Sequence, residues 1–256
     1  MGATWSPDQD WLIEVRKGNV TGHSCVHKYG RHDAVPNGTW EHISLLPFAT
    51  TNFRTTAAAM RIAAGGNAAD TAAGAGAREV TIQGIDSTLA EVTSVIATAG
   101  ALASAATTEL YWRVHRTWVS GVGTYMAANT ADVVIEDSAG GASMIKIATE
   151  EGQSQFAGFT IPTGKKGYLL SVHVTVDANK TADIRCFTRK SMTDVTAPMP
   201  AKRLKLFWDG LLGQFRFSPR VPEIELDAIE DIWFEARGSG AQTEVSLDFE
   251  LLIVDV

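Results

Sequence analysis

Cysteine is scarce in this chain of 256 residues, which contains Cys25 and Cys186 and no others. A disulfide framework is therefore not predicted, and the chain suits a reducing cytoplasm as its place of synthesis. Long apolar runs are missing too, so the sequence predicts no membrane helix of roughly 20 residues and no membrane partner. Acidic residues at Asp8, Asp10 and Glu14 break the first segment, so no signal peptide is expected.

Positive charge is also in short supply. Lys and Arg number 22 against 29 acidic residues, a formal net charge of −7. A nucleic-acid-binding surface normally requires a basic face. The sequence therefore predicts no nucleic-acid partner.

The sequence lacks a recognisable catalytic signature. It has no Gly-x-Ser-x-Gly elbow and no Cys set in a known family pattern with His and Asn. The glycine-rich stretch GNAADTAAGAGAREV, residues 66–80, places Gly74 and Gly76 before an apparent strand, whereas a phosphate loop follows its strand and leads into a helix. We therefore predict that this stretch is a tight structural loop and that the protein is not an enzyme.

Metal-ligating residues are few and poorly grouped. His23, Cys25 and His27 would share one face of a strand, but structural zinc sites usually combine ligand pairs from separate segments. The carboxylates at 136–137, 150–151 and 223–227 do not form a spaced calcium loop. The prediction is a solvated polar surface at each place, with no metal site and no cofactor.

Alternating apolar residues are abundant after residue 55. In the last segment the apolar positions are Val245, Leu247, Phe249, Leu251 and Ile253, and in the segment 168–178 they are Leu170, Val172, Val174 and Val176. Such alternation predicts strands with one buried face. About twelve such segments, separated by turn signals and without helical runs, predict an all-β, antiparallel β-sandwich of jelly-roll type.

The first 54 residues differ from the rest and predict an N-terminal arm. Ser6, Pro7 and Gln9 are typical of a helix start, and the short helix that follows would carry an apolar stripe. That stripe consists of Trp11, Leu12 and Val15, which we predict to be assembly contacts. Residues 19–52 are predicted to be irregular, and residues 55–256 to form the sandwich, with an extra β-subdomain at 55–125 as the alternative left open. Residues 98–108 stay unassigned, because their alanines favour a helix and their neighbours favour a strand.

Seven tryptophans are more than a chain of this size needs for ordinary packing. In a sandwich most of them would be core or subunit-interface residues. A set of exposed indoles that binds sugar is the alternative that the sequence leaves open.

One motif is similar to a known group of proteins. The run MRIAAGGNAADTAAGAGAREVTIQGIDSTLAEVTSVIAT (60–98), with ELYWRVHRTWVSGVG (109–123), GQSQFAGFTIPTGKKGYL (152–169) and DIRCFTRK (183–190), resembles virion-associated structural proteins of marine tailed bacteriophages. The resemblance covers most of residues 55–256. It implies no catalytic residues.

The resemblance implies a bacteriophage virion structural protein, made in the host cytoplasm and then part of the virion. The hypothesis is an oligomer, a homotrimer, that decorates or cements the head or serves as a head–tail accessory protein, with capsid or tail proteins as partners. A receptor- or glycan-binding fibre or spike module is the alternative. A hydrolase on a β-scaffold ranks third, since no nucleophile and base can be named.

Overall fold

The computed structural model describes residues 10–46, 53–219, 224–240 and 242–256. Within these ranges one helix, α1 (Trp11–Arg16), precedes sixteen strands. The strands in the first half are β1 (His23–Val35), β2 (Glu41–His42), β3 (Ala58–Ile62), β4 (Ala77–Asp86), β5 (Glu91–Ala97), β6 (Leu110–Val122), β7 (Val133–Asp137) and β8 (Ser143–Ile147). Those in the second half are β9 (Gly158–Thr160), β10 (Lys165–Val176), β11 (Ala182–Arg189), β12 (Arg203–Leu211), β13 (Gln214–Phe217), β14 (Glu225–Leu226), β15 (Asp231–Gly238) and β16 (Thr243–Asp255).

Two sheets form a sandwich. Sheet A has the strand order β1-β16-β10-β13, with β14 also paired to β10, and sheet B has the order β12-β11-β15-β2, with β9 also paired to β15. Every strand pairing in both sheets is antiparallel. The predicted all-β sandwich is therefore confirmed, whereas these strand orders do not confirm the jelly-roll connectivity.

The last strand, β16, lies inside sheet A and lines the core as its sequence predicts. Val245, Leu247, Phe249, Leu251 and Ile253 are all at most 3% exposed. They pack with residues of β10, β11 and β15 in one continuous apolar cluster between the two sheets. Burial of each such side chain is worth about 1.5–3 kcal/mol, so alternation alone accounts for a large part of the sandwich's stability.

Strand β10 departs from the predicted alternation at one residue. Leu169 is buried and Leu170 is only half-buried, because the pairing with β16 shifts by one residue between Leu169 and Ser171. A β-bulge inserts one extra residue and moves the side chains on one side of it to the other face. Val172, Val174 and Val176 lie beyond the bulge and are buried as predicted.

The segment 23–35, predicted to be irregular, is instead the long strand β1. It pairs with β16 from His23↔Val254 to Val35↔Thr243. The sequence did not predict this strand, because β1 lacks the apolar alternation of the core strands. Polar residues on one of its faces are buried by contacts with other parts of the chain. Gly30, for example, approaches Ala157 and Ile43 so closely that a Cβ atom there would lie 2.3 Å from the Ala157 nitrogen.

A third sheet, called sheet C here, contains the strands between residues 58 and 147. Its order is β5-β4-β6-β3-β7-β8, and its apolar residues form a second cluster that includes Ile82, Tyr111, Val114 and Ile135. The segment 98–108 runs beside β3 without forming a regular strand. The Ser104 and Thr107 hydroxyls accept hydrogen bonds from the β3 backbone at 2.8 and 2.9 Å, which a regular strand would satisfy with its carbonyls.

Helix α1 lies against β1 of its own chain. Asp10 is its N-cap, accepting hydrogen bonds from the backbone of Leu12 and Ile13, whereas the predicted capping residues Ser6, Pro7 and Gln9 lie outside the described residues. Val15 is 2% exposed, and Trp11 meets the ring of His23 edge-on at 5.5 Å. Within the described residues, no helix is long and apolar enough to cross a membrane.

Candidate functional site

The glycine-rich stretch is a structural loop closed by its own carboxylate. Asp70, which is 4% exposed, accepts hydrogen bonds from the backbone amides of Ala77, Thr130 and Ala131 at 2.8–3.1 Å. A phosphate site would need convergent amides of this kind, and here they bond to Asp70 instead. A Cβ on Gly76 would lie 2.2 Å from an Asp70 oxygen, so the small residues let the loop close on that carboxylate.

A buried ion pair joins sheet C to the sandwich. Arg113 on β6 and Asp231 on β15 form two hydrogen bonds, of 3.0 and 2.9 Å, and both side chains are almost completely buried. The Thr160 hydroxyl adds a third bond to Asp231 at 2.6 Å, and Arg113 also donates to the Arg54 carbonyl. Sequence analysis missed this pair because its members are 118 residues apart and neither belongs to a motif.

A second buried basic side chain, that of Lys28, lies between β1 and sheet C. Lys28 is 3% exposed, and its ammonium group donates to the backbone carbonyl of His115. Burial, with Arg116 nearby, lowers the pKa of Lys28 well below its usual value. The ring of His115 accepts from the Thr160 amide at 3.1 Å, and burial lowers its pKa as well. His115 is thus a buried, hydrogen-bonded strand residue.

The histidines on β1 do not assemble a metal centre. His27 and His173 contact opposite oxygens of Asp248, at 3.4 and 3.2 Å, on the outer face of sheet A. Cys25 is half-buried, and burial raises the pKa of its thiol. Over the ranges that the structure describes, no three His, Cys, Asp or Glu residues are grouped to hold a metal ion.

Five of the carboxylates in the predicted groups are paired with cations, whereas Glu223 lies outside the described residues. Glu136 contacts Arg61 at 2.7 Å, and Asp137 contacts Arg54 at 2.6 Å. The other pairs are Glu151 with Arg31, Glu225 with Lys166, and Asp227 with Lys190. The hydrogen bond from Lys190 lowers the pKa of Asp227. These carboxylates thus serve as surface ion pairs, which typically contribute little to stability.

The described tryptophans divide between the core and half-buried positions, and Trp5 lies outside the described residues. Trp233 is the one described tryptophan in the core, at 5% exposure. The half-buried ones are Trp11, Trp40, Trp112, Trp118 and Trp208. Trp40 lies under the guanidinium group of Arg185, 3.9 Å from its ring centre, so its face is covered by a cation.

A cavity of about 360 Å³ opens beside Trp233, between sheet B and the loop that leads to β12. Its aromatic wall consists of His42, Phe53 and Trp233, with ring centres 4.9–6.2 Å apart. Val195 and Met199 line the cavity from the loop. The volume falls within the range of ordinary small-molecule sites.

Charged side chains surround this cavity unequally. Arg54, Arg113, Arg189 and Lys202 line it, and Glu235 is the one carboxylate among the described lining residues. Burial favours the neutral form of Glu235, but hydrogen bonds from Trp233 and Arg185 and the charge of Lys202 outweigh this effect and lower its pKa. Glu235 is therefore ionised and already neutralised by its own partners.

His42 is a buried neutral base in the same wall. Burial lowers its pKa to about 4, against the attraction of Glu235, whose oxygen lies 3.6 Å from the ring. Its Nδ1 atom is buried and has no hydrogen-bond partner within the described part of the chain. A buried polar atom without a partner is uncommon in folded proteins.

One side of the sandwich ends in two edge strands. Strands β12 and β13 end their respective sheets, and the short connection at 212–213 carries the chain from sheet B to sheet A. Trp208 on β12 contacts Phe215 and Phe217 on β13, with ring centres 5.2 and 5.7 Å apart. These three aromatic residues close the core on that side, yet all remain half-exposed.

Further apolar side chains on this edge face solvent. Leu204, Phe207 and Leu212 are 54%, 47% and 61% exposed. We call these three residues, together with Trp208, Phe215 and Phe217, the β12–β13 surface. An edge strand with exposed apolar side chains is a ready site for association with another chain.

The fold and these features define an all-β protein in which a two-sheet sandwich, a third sheet and an open apolar edge are combined. No family model and no curated protein matches the chain. The solved structures similar to it include "Structure of infectious bursal disease virus Gt strain", at 9% identity and a TM-score of 0.20, with 99% of this chain and 80% of that chain covered. They also include "The 2.6A structure of Infectious Bursal Virus Derived T=1 Particles", at 8% identity and a TM-score of 0.16, with 95% of this chain and 79% of that chain covered. At these TM-scores neither similarity carries an argument about function.

Proposed function

We propose that this chain is a structural subunit of a bacteriophage virion, without enzymatic activity, that forms a homotrimer and binds head or tail proteins. The β12–β13 surface carries the proposal. Trp208, Phe215 and Phe217 pack against the core of the sandwich, and Leu204, Phe207 and Leu212 expose further apolar area on the same edge, which a second subunit would remove from water.

Charge on the same edge supports association with an acidic partner. Arg203 and Lys205 on β12 and Arg216 on β13 are exposed, although the chain as a whole has a net charge of −7. A basic patch on an acidic protein attracts other copies of that protein.

The predicted assembly contacts on α1 remain part of the proposal. Trp11 and Leu12 are half-buried and present an apolar surface beside β1, whereas the Val15 side chain is already covered by its own chain. Trp11 and Leu12 are therefore available for a second, smaller contact with a neighbouring protein.

Sedimentation equilibrium on the purified chain tests the main proposal. The parent protein should have the mass of a trimer, and Phe207→Asp should sediment as a monomer because it places a charge in the apolar contact. Val95→Asp is the matched control: Val95 is 59% exposed on β5, the edge strand of sheet C, and this variant should stay trimeric.

A parent protein that is monomeric at every concentration would contradict the trimer. Trimers that persist in Phe207→Asp would move the contact away from β12. Placement in the virion is tested separately, by tracing the chain in a reconstruction of the particle. Binding of the isolated protein to host cells would instead favour the receptor-binding alternative.

A further inference from the structure

The cavity beside Trp233 has three properties of a ligand site that assembly does not require. It has the volume of a small-molecule pocket, an aromatic wall and an excess of positive charge. We propose that it binds a small organic anion, in which a carboxylate or phosphate group is joined to a flat apolar portion.

The available charge comes from Lys202 and Arg189. Arg54 and Arg113 also line the cavity, but each is neutralised by a carboxylate, Asp137 and Asp231 respectively. They therefore contribute little attraction for a ligand.

Lys202 is the more accessible of these two cations. Its side chain is half-exposed, and its ammonium group lies 3.4 Å from Glu235 and 4.3 Å from the ring centre of Phe187. Since Arg185 forms shorter bonds to Glu235, of 2.5 and 2.7 Å, the charge of Glu235 is already balanced without Lys202. The hydrogen bond from Lys202 to Glu235 is the longest of these contacts, so its ammonium group can exchange that bond for one to a ligand at the mouth of the cavity.

Arg189 holds the loop that lines the cavity with Val195 and Met199. It donates to the carbonyls of Met192, Asp194 and Pro200, and no described carboxylate pairs with it. A guanidinium group bound to carbonyls keeps its full positive charge. The same guanidinium group therefore fixes the loop and supplies positive charge at the rim of the cavity.

The wall of the cavity favours an apolar portion on the ligand. Phe53, Val195 and Met199 present carbon surface, and Met199 is 51% exposed at the rim. The unpartnered Nδ1 of His42 lies in the same wall. Burying the flat part of a ligand here would remove the apolar side chains from water, which an inorganic ion cannot do.

Benzoate tests the proposal, because it combines a carboxylate with a flat apolar ring. It is titrated into the full-length protein labelled with ¹³C at the methionine methyl groups. The signal of Met199 should move to saturation at concentrations of about 10 mM or below. Met126, 85% exposed and not among the lining residues, serves as the internal reference and should not move. The Met199 signal is assigned by its loss in Met199→Leu.

Two related probes separate the parts of the ligand. Benzyl alcohol keeps the ring without the charge, and inorganic phosphate keeps the charge without the ring. Each should bind roughly tenfold more weakly than benzoate. Equal binding of benzyl alcohol would overturn the role of the cations, and equal or tighter binding of phosphate would overturn the role of the apolar wall.

Variants at Lys202 locate the charge. Lys202→Gln should weaken benzoate binding roughly three- to tenfold, and Lys202→Arg should keep it. Lys205→Gln removes an exposed charge three residues further along, outside the cavity, and should leave binding within about twofold of the parent. Failure of benzoate to move the Met199 signal, or equal effects of Lys202→Gln and Lys205→Gln, would overturn the site; neither result depends on whether the protein is a trimer.

Discussion

The sandwich and sheet C reach the same end, a buried sheet face, by different chemistry. The sandwich core is built mainly from alternating aliphatic and aromatic residues such as those of β16. Sheet C has its own apolar cluster, but its edges and loops are closed by Asp70, Ser104 and Thr107, whose side chains bond to backbone groups. The comparison teaches that one region is fixed by a repeating pattern and the other by single polar residues, each with a specific partner.

Asp231→Asn should give the largest effect, because it removes the charge that joins the two regions. It would leave Arg113 buried without a counter-charge, at a cost of about 3–5 kcal/mol in the free energy of unfolding measured in urea. Amide hydrogen exchange should show a greater loss of protection in β6 than in β16. The double variant Arg113→Leu/Asp231→Leu should recover part of the loss. A single variant as stable as the parent would show that the pair does not couple the regions.

The stability of the sandwich should fall as pH is lowered from about 6.5 to about 4. His42 is buried and neutral in the folded protein, with its pKa lowered from 6.5 to about 4, so within this window the unfolded chain binds the additional proton. The effect amounts to at most about 3 kcal/mol. His115, whose pKa is also lowered by burial, acts in the same direction.

The variant His42→Gln provides the control for this pH dependence. Urea unfolding measured between pH 4 and pH 7 should give a shallower curve for the variant than for the parent, and both curves should run parallel above about pH 6.5. Identical slopes throughout would mean that His42 is not a buried neutral base.

Asp70→Asn should give the smallest of the three effects and should be confined to sheet C. The amide keeps one acceptor but turns a donor towards the amides of Ala77, Thr130 and Ala131, at a cost of about 1–3 kcal/mol. Those three amides should exchange faster with solvent. The matched control is Asp86→Asn, since Asp86 accepts from Thr88 and Ala90 in an exposed turn. A larger loss in the control than in Asp70→Asn would contradict the assigned role of Asp70.

The contrast between the two regions also explains what the sequence could predict. Period-two alternation identified β10 and β16, because each apolar residue there faces one core. It failed at Leu170, where a bulge reverses the faces, and throughout β1, where the buried residues include Gly30, Lys28 and His32. A polar residue gives no local sign of burial when its partner is far away in sequence.

The candidate sites were harder to predict than the fold. Trp11, Leu12 and Val15 were identified from one helical stripe. The β12–β13 surface was not, because RLKLFWDG and QFRF follow the same alternation as the core strands. An edge strand differs from an inner strand in its solvent exposure. That exposure depends on which strands lie beside it in the sheet, and the alternation of residues along the sequence does not contain this information. The cavity combines side chains from β2, β6, β11 and β15, so no single stretch of sequence predicts it.

The pairing of Arg113 with Asp231 has a consequence for how the sequence can diverge during evolution. Replacing either residue leaves the other charge buried without a counter-charge. A protein that changes one position is therefore poorly folded unless the second position changes as well. In diverging sequences of this fold, positions 113 and 231 should therefore co-vary as a unit, while the surface ion pairs drift independently.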